Sequence, residues 1–568
     1  VRPRLIPALC LALLLLGLAA ASGAARSAAG PAPGEATFVM TAQSLWHDRD
    51  LTWDNRDLPR AYRVWDPGPT GLLLFTPDGG RTMHYGAPFA AALAAVPFYA
   101  LLGVPGFAVF NMALFLLMVG AALAFLEDEG GLAALFTVLF FFASAAFAYV
   151  FLLGPQVFTM ACVFFALLLW RRQRFAGAGL LIAAAASAIP WTAMLALPIL
   201  LDLAFARRWR GLLTFAAPAL LAFALLAVIQ WRLTGTWNAS GGAQRRTFTE
   251  AFPLETPRDV WRGGPKSVEG GRDLGAALRR LPRNLGYFLA GRHTGLLPYF
   301  PFALLALALF PAAPRDRGRL LLLLSLTVFV LGTLLALPNG WHGGSGGLGN
   351  GLLAAVYPAF FFLPGRYQVR RGLVPACAAA GLWTAGALVA AIPGTASGED
   401  LQAQASTRSF RLLPLELTLL GDLPGYGART FGGDGGALWI APRRNFSLDE
   451  ANPKGVWVRG ASRSDVVLVA PEPIESLRFR VHSLSEVNEL TLDTGADRLR
   501  IVFDTEGKRA GAPVELAVEP AARQAGVLPG RGEEYVYRLT LTTTDGVVPS
   551  RRNRKAGDSR NLGVFLEF

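Results

Sequence analysis

The stretch PFAAALAAVPFYALLG, residues 88–103, decides how the whole chain is threaded. Apolar blocks of roughly 15–23 residues run from the start of the chain to about Pro393 and then stop, a length that suits membrane-crossing helices. Short basic clusters stand between them: RRQR at 171–174, RRWR at 207–210, RDRGR at 315–319 and RYQVRR at 366–371. If residues 88–103 cross the membrane, all of these clusters fall outside the cytoplasm, against the bias that keeps Lys and Arg in cytoplasmic loops. If the stretch stays at the interface, all of them fall inside. It is short for a span and Pro97 interrupts it, so it reads as an interfacial or re-entrant segment.

The other blocks then take their places. Val1 to about Ala21 reads as the first span rather than a cleaved leader, because many more spans follow, although the small residues of AASGAA would also suit cleavage. The remaining spans are expected at 106–126, 131–153, 156–170, 175–189, 191–206, 211–232, 294–311, 319–337, 351–364 and 372–393. That makes about eleven, with the N-terminus in the cytoplasm and the chain ending outside it.

Composition agrees with a multi-pass membrane protein that carries a soluble tail. The 568 residues are 53% hydrophobic, with a mean hydropathy of +0.40. A net charge of +13 and a pI near 10.1 would suit a nucleic-acid partner. Here much of the excess sits in the loop clusters and no aromatic-basic patch accompanies it, so no nucleic-acid partner is expected. Cys10, Cys162 and Cys377 all lie in apolar segments and build neither a disulfide framework nor a zinc site. The Ala, Arg and Gly richness points to a bacterial inner membrane.

Beyond about residue 393 the pattern changes. DVVLVA (465–470), SLRFRVHSL (476–484), RLRIVF (498–503) and EYVYRLTLTTT (534–544) alternate or are β-rich, and Gly, Pro and Asp punctuate them. Many short strands without intervening helices predict an all-β sandwich. The expected organisation is an α-helical polytopic membrane domain at 1–393, a connector at 394–440, and a β-sandwich at 441–568 on the periplasmic side.

Polar chemistry gathers in the loops expected outside. The first, residues 23–105, begins with GEATFVMTAQSLWHDRDLTWD and closes with GGRTMHYGAP. Phe38, Val39, Leu45 and Trp46 suit a short helix lying on the membrane surface. Glu35 is the first acid after the first span; at a water–membrane boundary it can act as a general base or hold a divalent cation, and it equally suits a helix N-terminus. Asp48, Asp50 and Asp54 can bind a metal, and they are also ordinary turn and cap residues. Arg81, His84 and Tyr85 offer a phosphate partner and hydrogen-bond donors, as do Arg292 and His293 in GRHTGLLPYFP (291–301). A surface helix is expected at 273–284, with Arg279, Arg280 and Arg283. In NGWHGGSGGLGN (339–350), Trp341, His342 and Asn350 suit substrate contact, and the glycines permit close backbone approach.

Several chemistries are absent from the pattern. No GxxxxGK[ST] or HExxH occurs. Acids are nearly missing from the expected spans, whereas an ion-coupled transporter places ionisable groups at the membrane midplane. Polar groups at the rim favour an enzyme acting at the outer leaflet.

These residues resemble the GT-C glycosyltransferases, polytopic proteins that take sugars from polyprenyl-phosphate donors. The segment GEATFVMTAQSLWHDRDLTWD is similar to that family's acid followed by A-x-S-L…G-D-L. The segment GGRTMHYGAPFAAALAAVPFYALLG is similar to D-G…S…A-P-G…P-x-Y-A-L. NGWHGGSGGLGN, with Tyr357-Pro358 after it, resembles a W-x-G-G…G-N-R-Y…Y-P signature of related bacterial membrane proteins. The chain departs at Gly34-Glu35, where relatives carry Asp-Glu or Asn-Glu; at Gly351-Leu352, where Arg-Tyr is expected; and at Gln156, where some relatives carry an acid.

The resemblance implies a polyprenyl-phosphate-linked sugar as donor and a glycan or lipid as acceptor. It implies catalytic work by Glu35, with Asp48 and Asp50 beside it, and donor-phosphate binding by Arg81, His84, Tyr85, Arg292 and His293. Trp341, His342 and Asn350 would contact substrate. A divalent cation (Mg or Mn) at Glu35 is a further expectation. Two other readings stay open: a non-catalytic protein of envelope-glycan assembly or export, and a transporter.

Overall fold

Apolar blocks become helices, and proline and glycine decide where each one stops. The computed structural model describes residues 2–29, 31, 34–54, 56–65, 68–69, 71–78, 81–126, 131–237, 245–248, 274–312, 316–344, 347–364, 373–389, 410–423, 426–431, 437–442, 445–448, 455–485, 487–503, 513–525, 533–552 and 560–567. The helices are α1 (Arg2–Ala29), α2 (Glu35–His47), α3 (Asp57–Val64), α4 (Ala90–Leu102), α5 (Pro105–Phe125), α6 (Gly131–Phe142), α7 (Ala145–Ala148), α8 (Gln156–Arg171) and α9 (Phe175–Ala188). They continue with α10 (Ala196–Phe205), α11 (Trp209–Thr234), α12 (Leu274–Ala290), α13 (Leu296–Tyr299), α14 (Pro301–Leu309), α15 (Arg317–Ala336), α16 (Gly351–Val356) and α17 (Leu373–Val389). All belong to one unit, Val1–Pro414; the second unit is Leu415–Phe568.

The expected eleven spans are not matched by full-length helices. Among the described residues α5, α11 and α15 are long and apolar enough to cross a membrane. A fourth span is possible if α6 and the segment Ala145–Phe151, bent by 52° against it, count as one. The other blocks give apolar helices of 10–17 residues. Prolines such as Pro155, Pro190, Pro301 and Pro358 stand at or near helix starts, where the missing N–H costs nothing and the preceding turn is ended.

Contacts show where α4 packs. On α4, Tyr99 Oη lies 3.2 Å from His47 Nε2 at the end of α2. Tyr99 also stacks on Phe107 at the start of α5, and Phe107 packs against Phe38 of α2. The helix therefore packs against α2 and the start of α5. A Cβ at Gly106 would lie 2.1 Å from the Phe98 carbonyl oxygen, so only glycine lets α5 turn back this closely.

Other ties sort the loops into two sets. A four-stranded antiparallel sheet runs in the order β1 (Thr52–Trp53), β3 (Met83–Tyr85), β2 (Leu72–Phe75), β4 (Arg245–Phe248). Since β4 follows α11, the loop after α11 and the first loop lie on the same side. The basic clusters gather elsewhere: Arg171 pairs with Asp316, Arg208 bonds Gln173, and Arg319 Nε donates to the Leu363 carbonyl at 2.6 Å. Three of the expected cytoplasmic clusters thus share one end of the unit; residues 366–371 lie outside the described residues.

The second unit is β-rich. One antiparallel sheet has the order β13 (Pro513–Ala517), β10 (Ser476–Ser483), β16 (Leu562–Glu567), β8 (Gly455–Arg459), β7 (Phe446–Leu448). The other runs β12 (Arg498–Phe503), β11 (Asn488–Asp493), β15 (Glu533–Thr543), β9 (Ser462–Ala470), β6 (Ala437–Pro442), β5 (Tyr426–Phe431), with β14 (Ala522–Ala525) also on β15. Alternate residues of both sheets meet in one core: Val458, Phe479, Val481 and Val564 from the first, Leu468, Leu490, Tyr537 and Leu539 from the second. Strands β5 and β6 pair in register from Tyr426↔Pro442 to Phe431↔Ala437, inside the stretch read as a connector.

Candidate active site at the loop side of the helical unit

Gly34 has φ of +84°, a conformation glycine adopts without strain, and it sets the start of α2 at Glu35. The Glu35 carboxylate is buried, and its Oε1 accepts the Leu153 N–H at 2.9 Å. Leu153 follows the break after Tyr149–Phe151. Asn111 of α5 works on the same break, donating from Nδ2 to the carbonyls of Leu152 at 3.1 Å and Val150 at 3.4 Å. Backbone groups freed where a helix breaks need such partners when buried. Glu35 and Asn111 hold the break between α7 and α8, residues 149–155, in place.

The glycine-rich loop rests on that segment. A Cβ at Gly347 would come within 2.6 Å of the Tyr149 hydroxyl, and one at Gly349 within 2.8 Å of the Tyr299 ring. Gly343, Gly344 and Gly349 have φ of +87°, +97° and +73°. His342 is fully buried, and its carbonyl accepts the Gly351 N–H at 2.8 Å. Trp341 is buried with its ring against Phe288. Asn350 caps α16, its Oδ1 accepting the Leu353 N–H at 2.9 Å. At Gly351 a Cβ would sit 3.5 Å from Tyr149 Oη and 3.9 Å from Gln156 Nε2, so that position looks onto Tyr149 and Gln156.

Arg292 joins this cluster through its backbone, whose carbonyl accepts the Tyr299 hydroxyl at 3.0 Å. Its guanidinium donates to the carbonyls of Arg411 (2.7 Å) and Leu413 (3.2 Å), which fastens residues 411–413 to the helical unit. His293 beside it is fully buried.

The remaining first-loop residues make a second cluster. Asp48 pairs with Arg60 of α3, which also lies 3.5 Å from Asp57. Burial pushes the Asp57 carboxyl up to about 7, against the Asp54 N–H and Arg60. Tyr85 neighbours Asp57, and burial drives its hydroxyl well above the usual phenol range. Asp50 closes a turn, accepting Ser44 Oγ at 2.7 Å and the Thr52 N–H at 3.1 Å. His84, opposite Thr52 in the sheet, has its pKa lowered by burial. Arg81 is exposed. Beside it Asp78 falls to about 2: burial opposes the shift, but the N–H groups of Thr82 and Arg81 and the hydroxyls of Thr76 and Thr82 outweigh it.

The residues expected to act together thus fall into two groups. Glu35, Trp341, His342, Asn350 and Arg292 belong to the one around 149–156. Asp48, Asp50, His84 and Tyr85 belong to the small sheet and α3. The first three helical turns of α2 are buried rather than laid on a membrane surface; the Thr37 hydroxyl accepts the Leu73 N–H at 2.8 Å, tying α2 to β2. Asn111, Tyr149, Asp57 and Arg60 were not foreseen. The signals were an Asn inside an apolar run and a Asp–Arg pair three residues apart in DLPR (57–60).

A divalent cation at Glu35 finds little support in its donor set. Divalent cations of the Mg kind take several hard oxygen ligands, while the Glu35 Oε1 accepts a backbone N–H. Among the described residues no group of three or more His, Cys, Asp or Glu could hold a metal ion.

The helical unit carries candidate spans and a buried acid among its loops, and the second unit is β-rich. No protein-family model matches the chain, and no curated protein does. Among solved structures it aligns with ArnT from Cupriavidus metallidurans bound to undecaprenyl phosphate, at 14% identity and a TM-score of 0.41, over 71% of this chain and 75% of that one. The apo form of ArnT gives a TM-score of 0.36 at 14% identity, over 70% and 75%. The arabinosyltransferase EmbB from Mycobacterium smegmatis gives 0.27 at 13% identity, over 97% of this chain and 64% of that one.

Proposed function

We propose that the chain is a GT-C-like membrane glycosyltransferase. It would move a sugar from a polyprenyl-phosphate donor to an envelope glycan or lipid acceptor at the outer face of a bacterial inner membrane. The observation that carries this reading is the placement of Glu35: the first acid of the chain, buried, at the start of α2, where the segment 149–156 meets the glycine-rich loop.

In this reading an acceptor hydroxyl attacks the anomeric carbon of the donor. The bond from that carbon to the phosphate oxygen breaks, the polyprenyl phosphate leaves with the electron pair, and Glu35 takes the hydroxyl proton. Arg81, exposed in the first loop, would meet the departing phosphate; Arg292 is engaged with the 411–413 carbonyls. The β-rich unit would be a sandwich on the periplasmic side that presents the acceptor glycan.

The test is release of free polyprenyl phosphate by the protein in nanodiscs, followed by mass spectrometry across a panel of polyprenyl-phosphate sugars. Glu35→Gln keeps an oxygen that can accept the Leu153 N–H but cannot take a proton. Turnover is expected to fall about 10²–10⁴-fold with the thermal midpoint unchanged. A different reading, a non-catalytic protein that binds lipid-linked glycans for assembly or export, is favoured by the structural duty of the Glu35 carboxylate on Leu153. Donor binding without release by wild type across the panel would decide for it.

A further inference from the structure

Three polar atoms converge on one point beside the glycine-rich loop. The place where a Cβ would stand on Gly351 is 3.5 Å from the His342 carbonyl oxygen, 3.5 Å from Tyr149 Oη and 3.9 Å from Gln156 Nε2. Glycines keep the surroundings open. A Cβ at Gly347 would press on Tyr149 Oη at 2.6 Å, and one at Gly154 would press on Gln156 Oε1, so a side chain at either position would cover a polar group that glycine leaves uncovered. Tyr149 is buried, and its hydroxyl has no hydrogen-bond partner among the described residues, although the Leu348 N–H stands beside it. A buried hydroxyl left unpaired is costly, and a bound group that supplies the partner removes that cost. Gln156, the first residue of α8, is half-buried at the edge of the point. Glu35 is close along the same segment, because the Leu153 N–H that it accepts belongs to the residue before Gly154. The converging atoms are all neutral. A carbonyl accepts, a phenol hydroxyl both donates and accepts, and the amide Nε2 donates, which together match a hydroxyl group.

From this convergence we infer that Tyr149, Gln156 and the open position at Gly351 hold a hydroxyl of an uncharged sugar, and that Gln156 sets this specificity. The inference rests on the glycosyltransferase reading and narrows its donor to a neutral sugar. A charged group seated at the point would be buried without a counter-charge. A sugar carboxylate finds no cation among the converging atoms, and the Arg292 guanidinium is engaged with the 411–413 carbonyls. A sugar ammonium finds no acid there either. Were it to reach Glu35 instead, it would occupy the carboxylate that takes the acceptor proton.

The experiment uses the full chain in nanodiscs and a panel of polyprenyl-phosphate pentoses and hexoses, each neutral sugar set beside its amino and its uronic counterpart. Donor binding is read by native mass spectrometry, separately from release of polyprenyl phosphate. Wild type is expected to prefer the neutral donor over either charged counterpart by about ten-fold or more. Gln156→Glu keeps the size and places a carboxylate at the point, so it should move the amino-to-neutral ratio toward the amino sugar by about ten-fold or more. Tyr149→Phe should weaken binding of the neutral donor about ten-fold with no loss in thermal midpoint, since no hydrogen bond of the empty protein is broken. Release from all three classes alike, or a ratio that Gln156→Glu leaves unmoved, overturns the inference and leaves the transferase reading standing. Neutral donors bound but never released, with the ratio still moved by Gln156→Glu, sink the transferase reading and keep the pocket. A wild-type preference for amino or uronic donors overturns the inference, and binding of no donor at all overturns it together with the reading it rests on. Should Gln156→Glu fail to fold, Tyr149→Phe decides: unchanged binding of neutral donors overturns the inference.

Discussion

Asp57 is the residue whose burial has the most direct consequence for pH. Its carboxyl stands at about 7 in the folded chain against an ordinary 3.8. Between about pH 4 and 7 the folded state keeps a proton that the unfolded chain has lost, so this group makes stability fall as pH rises through that window and level off above it. His84, lowered by burial, acts with the opposite sign below its ordinary 6.5, so the comparison with a variant isolates Asp57. Asp57→Asn keeps an oxygen for the Asp54 N–H and removes the titration. The difference in thermal midpoint between variant and wild type should grow in the variant's favour from about pH 5 to about pH 7; a constant difference would mean that Asp57 does not hold the proton. Two glycines of the same loop should part company as well. Gly349 has φ of +73° and a Cβ there meets the Tyr299 ring at 2.8 Å, so Gly349→Ala is expected to cost about 1–3 kcal/mol. At Gly351, the first residue of α16, the added methyl meets only ordinary contacts, so Gly351→Ala should stay within about 0.5 kcal/mol. Equal losses in chemical denaturation would contradict this placement.

Elements are where glycine sets how closely helices approach. At Gly179 a Cβ would lie 2.1 Å from the Phe215 carbonyl oxygen of α11, so α9 and α11 touch backbone to backbone, the approach that small residues allow between membrane helices. Gly179→Ala should lower the thermal midpoint, by an overpacking cost of about 1–3 kcal/mol. Gly120, exposed in mid-helix with nothing within 4 Å of its Cβ position, gives the opposite sign: Gly120→Ala should raise it slightly, by about 0.5–1 kcal/mol of backbone entropy. A common direction for both would overturn the argument. The same glycines and prolines explain what could be read in advance. Apolar blocks are legible because burial in lipid needs an unbroken run. Where each run breaks is less so, because neighbours such as Asn111 and Glu35 take up the freed groups from far away in the chain. Glu35 and Gly343–Gly349 stood out by composition, whereas Tyr149 hides among apolar neighbours until the loop settles on it. Strands β5 and β6 fall at and across the edge of the stretch read as a connector, and only their pairing, Tyr426↔Pro442 to Phe431↔Ala437, joins them to the sheet.

At the scale of the whole molecule, threading fixes which chemistry faces which compartment. The ties of α4 to α2 and α5, the strand shared between the first loop and the loop after α11, and the Arg171–Asp316 pair separate a polar-loop side from a basic side. By the bias of Lys and Arg, the basic side is expected to face the cytoplasm. With one crossing before the first loop and none by α4, Arg81 should face outward, Arg174 inward, and the β-rich unit outward. Single-cysteine variants in a Cys10→Ala background test this at exposed positions: Arg81→Cys, Arg174→Cys and Val487→Cys. Cys162 and Cys377 are buried and should stay silent. A membrane-impermeant maleimide on intact spheroplasts should label 81 and 487 and reach 174 only after permeabilisation. Were α4 to cross, every loop after it would change sides: 81 and 174 would label together, and 487 would be protected. The two patterns share only the label at 81, so the labels at 174 and 487 decide whether α4 crosses, and with it whether the loops after α4 lie on the side of Glu35.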